Sequence, residues 1–519
     1  MEAIQLKLSG DVSGGVRYCA HVQNVGWQGW KADGATAGTS GRSLRVEAVK
    51  IELTGAAAKQ YDVYYRVHAQ TFGWMGWAKN GEPAGTAGYS CRLEALQVKL
   101  VAKGAAAPGD VGGAYHDANA AGTLDYCVLV RGSGWQGWKS QGATAGTTGK
   151  SLRLEGIRAK TQVEGLGVVY RAHVQDVGWE DWHAGDNVAG KKGKRMEAIQ
   201  VKLTGDAADT YDVYYRVHVE GIGWMGWAKN GASAGTEGMS RRIEAVQMKL
   251  MVRGAPAPGS TAMPFCMSKD SLISSLSSAK GGSIRVFGGS YSLNSAAGKR
   301  LQAHVNKMSR TYNVCFVMID LNTGMGISYN PNRSMYSAST IKGPYVAAVN
   351  KYSPGSVNSS WGNIMKQTIT VSSNEGYAAC RNHWGSSPMS RYMGNSGISG
   401  HFSSSEYYVF MTSNDLAKMW VSNYDYFFIN TNKNSEWCRN LYTRSSNSFI
   451  NSGLSSRYTV YTKPGWIASG GSYTVRNDAG IVMADGHPYV VAIMTNDYDD
   501  WGSLTKLARC IDDVHSDMV

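Results

Sequence analysis

Ser339 and Lys342 stand three residues apart in the stretch Tyr336-Ser337-Ala338-Ser339-Thr340-Ile341-Lys342, which runs into an apolar segment from Gly343 to Val349. At a helix start this spacing puts both side chains on one face, one turn apart. A neutral lysine amine there can take the proton of the serine hydroxyl, and the helix N-terminus favours the anion that forms. Taken alone the pair is weak, because a capping serine followed by a solvated lysine is the usual fate of such residues. Two further groups follow in order. Ser372-Ser373-Asn374 comes after the apolar run Ile369 to Val371 and opens the segment Glu375 to Cys380. Lys463-Pro464-Gly465-Trp466 lies in a strand-like stretch that begins at Tyr461.

The surrounding pattern supplies elements to hold these groups. Residues 297–308 read as an amphipathic helix, and 314–320 with 326–329 as a hairpin of two strands. Thr412-Ser413-Asn414-Asp415 is a capping box leading into a helix through Leu416 and Trp420. Strands are expected over 479–484 and 489–495, joined by the turn Asp485-Gly486-His487-Pro488, with a final helix from about Ser503.

The ordered set SxxK, SxN and KxG, over roughly residues 290 to 519, resembles class A β-lactamases and the related penicillin-binding D,D-peptidases and transpeptidases. The resemblance implies an α/β domain, an antiparallel sheet flanked by helices plus a helical lobe, working without cofactor or metal. It implies Ser339 as acylated nucleophile, Lys342 as its base and Ser372 as proton relay to the leaving group. Asn374 would bond the substrate amide, and Lys463 would supply positive field for a substrate carboxylate. The N–H groups of Ser339 and Trp466, with Gly465 beside them, would form the oxyanion hole.

Two departures stand out. Pro464 replaces the hydroxyl residue usual in the third motif and removes a backbone N–H; Arg476 is a candidate to compensate. Class A β-lactamases also activate the deacylating water with a glutamate before a helix. Here residues 395–405 are Ser/Gly-rich and hold no glutamate; Glu406 lies too near the Thr412 helix, and Glu375 reads as a solvated helix-start residue. Without that base the acyl-enzyme would be long-lived. A hydrolase acting on D-alanyl peptides of peptidoglycan is the first expectation. The alternatives are a β-lactamase with a displaced base, a short-ester esterase, and an adhesin with a degenerate hydrolase domain.

The first half of the chain repeats itself. Gly26-Trp27-Gln28-Gly29-Trp30 recurs as Gly73-Trp74-Met75-Gly76-Trp77, Gly134-Trp135-Gln136-Gly137-Trp138, Gly178-Trp179-Glu180-Asp181-Trp182 and Gly223-Trp224-Met225-Gly226-Trp227. Each copy sits between two alternating strand-like runs with an Ala-Gly turn region between, so the units are all-β and must share a core. The tryptophans read as anchors of that core, with exposed sugar-stacking platforms as the alternative. His21, His68, His173 and His218 recur at one position, which Leu129 also fills, against a metal role. The pattern resembles the clostridial hydrophobic repeats, which implies export and attachment to a surface. Grouping gives a truncated set over 1–104, a linker at 105–123, a set of three over 124–253, a linker at 254–289 and the catalytic domain at 290–519. A set of three implies a closed trefoil-like or prism-like assembly.

The first eight residues match Met196 to Leu203, so the chain reads as beginning mid-repeat, with a signal peptide missing and an extracellular or cell-surface location expected. The 519 residues carry a formal charge of +13, which fits an anionic cell-wall polymer or surface glycan better than nucleic acid. No apolar run is long enough to span a bilayer. The eight cysteines form no CxxC pair, so buried thiols are the default and zinc is disfavoured. Cys315 with Cys510, and Cys380 with Cys438, are candidate bridges if the protein is exported.

Overall fold

The computed structural model describes the whole chain except residues 11, 12, 118–122, 354, 358, 400, 401 and 404. Parts of the 105–123 linker and of the 395–405 loop therefore lie outside the described residues.

Each repeat is a pair of long antiparallel strands, such as Gly167–Val174 with Met196–Thr204, carrying the Gly-Trp hairpin and an Ala-Gly segment. The Ala-Gly segment leaves its own unit and pairs with the long second strand of another. Ala145–Gly146 lies on Ala245 and Val246, Ala189 bridges Ile157, and Ala234 with Gly235 lies on Ile199 and Ala198. These three pairings close the second set into a ring. Gly146 holds the close approach at φ +105°; a Cβ there would fall 2.4 Å from the Glu244 carbonyl oxygen.

In the first set, Ala37–Gly38 lies on Ala3–Ile4, and Ala84 with Gly85 lies on Val49 and Ala48. The last strand, Leu93–Ala102, pairs within its own unit with Tyr61–Ala69, and among the described residues no Ala-Gly segment lies on it. Val98 and Leu100 there are 42% and 41% exposed, whereas the corresponding Met248 and Leu250 are fully buried.

The core of the repeats overturns the reading of the tryptophans as anchors. Tyr18, Tyr65, Tyr126, Tyr170 and Tyr215 are the fully buried rings, each donating its hydroxyl to a turn carbonyl of its own unit. Of the repeated tryptophans only Trp77 and Trp227 are buried, each with the chain that follows its set running over it. Trp30, Trp74, Trp135 and Trp138 are exposed, with arginine or lysine stacked on their rings. A tryptophan covered by a guanidinium or ammonium gains cation–π stabilisation and stays at the surface. The repeated histidines pack edge-on to a tryptophan and face a glutamate, as His173 does with Trp179 and Glu197.

The C-terminal half is built on an antiparallel sheet in the order Arg285–Phe287, Gly326–Tyr329, Val314–Asp320, Tyr489–Thr495, Val475–Met483, Thr459–Thr462, with Gly465–Ile467 also on Val475–Met483. Residues 254–289, read as a linker, contribute the first of these strands and helix Lys269–Ser277. Alternation sends Val314, Phe316 and Met318 to one face, against helices Ala296–Met308 and Trp501–Met518. Cys315, Val317 and Ile319 face the other side, among the buried residues of helix Ser413–Tyr424. This separation excludes the Cys315–Cys510 bridge, since Cys510 lies in the opposite core. Cys380 and Cys438 share a core but are unbonded, and all eight cysteines are buried free thiols. Among the described residues no helix is long and apolar enough to cross a membrane.

Candidate active site

Ser339 sits in a 3-10 turn, Ala338–Ile341, that passes directly into helix Lys342–Tyr352. Ala338 holds φ +43°, a conformation costly for a residue with a Cβ and kept only where its surroundings impose it. The restraint comes from Asn477, whose amide donates to the carbonyls of Tyr336 (2.9 Å) and Ser337 (3.3 Å). On the other side, Ser337 and Val409 exchange bonds that dock the turn onto the loop before Thr412. As expected, Thr412 and Asp415 form a capping box at the head of helix Ser413–Tyr424.

Lys342 is fully buried, and its Nζ donates to the Ser372 carbonyl (2.7 Å) and Asn374 Oδ1 (2.6 Å). Burial pulls its amine down to about 8, with the Glu375 carboxylate pulling the other way. Lys463 is also fully buried; its Nζ donates to Ser372 Oγ (2.9 Å) and to the Pro464 carbonyl (2.8 Å). Burial, and then the nearby Lys342, hold the Lys463 amine well below its ordinary value. Two amines thus converge on Ser372, one on its carbonyl and one on its hydroxyl, with Ser372 held at φ +61°. Asn374 opens helix Asn374–Trp384, whose cap is Ser373.

Lys463 bonds through its N–H to the Ala479 carbonyl, so in an antiparallel ladder the N–H positions of 464 and 466 point away from the sheet. Pro464 therefore interrupts no ladder bond, and the Trp466 N–H faces outward. The strand edge presses on the Ser339 turn here: a Cβ on Gly465 would lie 2.3 Å from the Thr340 nitrogen and 2.5 Å from that of Ser339. Arg476 does not compensate for Pro464. Its guanidinium stacks over Tyr498 at 4.5 Å and Trp501 at 5.4 Å, on the strand face opposite Asn477.

Ser339, Asn374 and Trp466 line a small cavity of about 80 Å³ together with Tyr336, Tyr408 and Ile467. It adjoins a wider cleft of about 530 Å³ walled by Tyr336, Glu406, Tyr407, Tyr408, Phe410 and Tyr473. Glu375 accepts from Ser373 Oγ at the exposed helix start, as read from the sequence.

Three contributors were not legible in advance. Tyr408 donates to Asn374 Oδ1 (2.8 Å) and neighbours Ser339; burial pushes its phenol up to about 12. Asp478, opposite Pro464, accepts from Ser448 Oγ and the Ile450 N–H, and burial pushes its carboxyl up to about 7. Asn477 is the third. A pair of tyrosines inside a Ser/Gly-rich loop is the one signal that would have marked Tyr408.

Ser339 and Lys342, Ser372 and Asn374, and Lys463, Gly465 and Trp466 are thus brought together from three separate segments on an antiparallel sheet covered by helices. The profile of the beta-lactamase enzyme family matches residues 296–354 and 350–512, and that of clostridial hydrophobic W matches 21–55, 68–102, 130–161, 173–205 and 218–251. The chain is therefore five clostridial hydrophobic W repeats followed by a domain that matches the beta-lactamase enzyme family. No curated protein matches it. Among solved structures, it is similar to a β-lactamase from Chitinophaga pinensis at 15% identity, covering 43% of this chain and 100% of that one, with a TM-score of 0.37. A mutant of PBP-A, as an acyl-enzyme complex with penicillin G, matches at 17% identity over 42% of this chain and 97% of that one (TM-score 0.35). A class A β-lactamase from Clostridium kluyveri matches at 19% identity over 42% and 98% (TM-score 0.34).

Proposed function

We propose that this protein is an exported serine acyl-transferase or hydrolase acting on D-alanyl peptides of peptidoglycan, held at the cell surface by its repeats. The observation that carries the reading is the pair of buried amines, Lys342 and Lys463, converging on Ser372 and Asn374 beside Ser339. Ser339 Oγ attacks the carbonyl of the terminal peptide bond while Lys342 Nζ takes its proton. The oxyanion is met by the outward N–H of Trp466 and that of Ser339. The C–N bond then breaks, and terminal D-alanine leaves with a proton passed through Ser372 from the lysine amines. The ester on Ser339 goes to water or to an acceptor amine. Asn374 orients the substrate amide, and Lys463 lends positive field to the terminal carboxylate.

Among the described residues, no carboxylate lines the small cavity at Ser339, which supports slow attack by water on the ester. The family name keeps β-lactam hydrolysis as the second reading, and the lifetime of the ester separates the two. The repeats support attachment through their exposed tryptophans and the +13 charge, which fit an anionic wall polymer or glycan. We read the three-unit ring as trefoil-like or prism-like, the helices between Lys342 and Leu454 as a helical lobe, and 1–104, 124–253 and 290–519 as the working units.

The test is release of D-alanine from an N-acyl-D-alanyl-D-alanine peptide by the parent and by Ser339→Ala. Release by the parent alone is expected. Equal release by both, or none from the parent, contradicts the reading.

A further inference from the structure

Away from Ser339, one end of the closed second repeat set carries a basic cavity of about 170 Å³. Arg153, Arg195 and Arg242, one from each unit, line it together. Each stands immediately before the long second strand of its unit, Leu154–Thr161, Met196–Thr204 or Ile243–Val252. Two residues earlier the chain turns through positive φ, at Ser151 (+55°), Gly193 (+86°) and Ser240 (+55°). One local turn thus presents an arginine three times, and closure of the ring brings the three to a common space. Two residues after each arginine comes a buried glutamate, Glu155, Glu197 or Glu244, which accepts from the arginine Nε at 2.9, 2.7 and 3.1 Å. Each guanidinium is therefore held by one edge. Among the described residues, Nη1 of Arg153 and both terminal nitrogens of Arg195 make no hydrogen bond.

Arg131 adds a fourth guanidinium to the lining. It fills the position held by Gln175 and Glu220 in the other units; the backbone N–H of all three donates to the carbonyl of its unit's arginine. Among the described residues neither Arg131 nor Lys150, Lys191 and Lys192, exposed in the same loops, forms an ion pair. Glu220 is the one carboxylate among the described lining residues, and it accepts from Arg242 Nη1. The first set supplies two of these arginines among its described residues, Arg45 and Arg92, with Gln23 and Gln70 where Arg131 stands. Guanidinium forks pair with the oxygens of phosphate and carboxylate. Three forks around one point, with a fourth beside them, match an anion of three equivalent terminal oxygens and two charges better than a carboxylate. Pockets for drug-sized ligands run to about 300–1,000 Å³, so this one takes a single small group with its bearer outside.

We infer that this cavity is a binding site for a phosphate monoester group, carried on a saccharide or free as inorganic phosphate. The inference rests on the reading of the repeats as the part that attaches to an anionic surface, and adds to it the group recognised and the residues that recognise it.

Isothermal titration calorimetry of the full chain at fixed salt tests it. The probes are inorganic phosphate, glucose 6-phosphate and glucuronate, whose carboxylate replaces the phosphate-bearing end of the sugar. Glucose 6-phosphate is expected to bind about tenfold more tightly than glucuronate. Arg195→Lys keeps the charge but loses the fork, and Arg131→Gln installs the residue type that Gln175 already supplies at that position. Each should weaken phosphate binding about tenfold, the worth of one charge-assisted hydrogen bond. Arg92→Gln removes a positive charge from the first set and should change nothing, while Glu220→Gln should tighten binding. A normal thermal melt shows that the variants are folded. Binding of both phosphate probes, or of one alone, with these losses upholds the site and names the source as the free ion or a phosphorylated saccharide. Equal binding of glucuronate overturns the choice of phosphate. Equal losses in Arg92→Gln, or none in Arg131→Gln and Arg195→Lys, overturn the assignment to this cavity. No binding of either phosphate probe overturns the inference; retention of the same chain on purified cell walls then leaves the attachment reading standing, and no retention overturns that as well.

Discussion

Lys160 and Lys342 both hold an ammonium group near aromatic rings, Lys160 at 4.3 Å over Trp138 and Lys342 at 5.7 Å from Tyr377 and Tyr408. Trp138 is 40% exposed, so water reaches the repeat pair, whereas Lys342 is wholly enclosed. Enclosure changes what the same contact does. In the repeats a solvated cation covers part of a large apolar ring and stabilises a surface. Beneath Ser339 the desolvated amine is drawn toward its neutral form, the form that the proposed base needs. A second contrast lies within the array. Val98 and Met248 occupy equivalent strand positions, yet among the described residues only the strand of Met248 receives an Ala-Gly segment from another unit. Burial in these repeats is conferred by ring closure rather than by the pattern of the strand.

Each contrast can be broken. The largest effect is expected from Gly465→Ala, whose added methyl collides with the Ser339 and Thr340 nitrogens. Moving that edge should lower the acylation rate by about 10²- to 10³-fold, the usual loss of one oxyanion donor, measured by stopped-flow with a chromogenic β-lactam. Met248→Ala should destabilise the second repeat set by about 2–5 kcal/mol, and Val98→Ala should change stability by no more than about 0.5 kcal/mol, both followed by denaturant unfolding. Similar costs at the two positions would refute the ring-closure account.

The pH dependence sharpens the first contrast. With Lys342 acting as a neutral amine in the proposed reaction, acylation should rise about tenfold per pH unit below its value of about 8 and level off above it. The Glu375 carboxylate raises the Lys342 value, so Glu375→Gln should move the inflection to lower pH. An inflection moving upward would contradict the assignment of the base. At the small end, Arg17→Ala removes a cation from the exposed face of Trp30. It should cost about 0.5–1 kcal/mol in thermal stability and leave acylation at Ser339 unchanged.

The motifs were legible because the resembled family carries SxxK, SxN and KxG in that order, and the strands at 314–320, 326–329 and 489–495 because alternation and turn chemistry agree there. The roles of tyrosine and tryptophan in the repeats were not. Gly-Trp-x-Gly-Trp is the louder pattern, but Tyr18 and its equivalents fill the inward positions, and periodicity does not say which of two aromatic residues faces in. Tyr408 was illegible for another reason: a loop residue is placed by what the loop packs on. Arg476 was misread because its partners, Tyr498 and Trp501, lie beyond the next strand.

In the proposed reaction Ser339 is acylated through Lys342, and water then attacks the ester slowly. Its most direct test is intact mass against time after brief exposure of the full chain to a fluorescent penicillin, with Ser339→Ala alongside. One adduct is expected, on the parent only, that persists while free hydrolysed penicillin stays at the level of the buffer control. Rapid loss of the adduct with accumulation of hydrolysed penicillin, or an adduct that survives in Ser339→Ala, would contradict it.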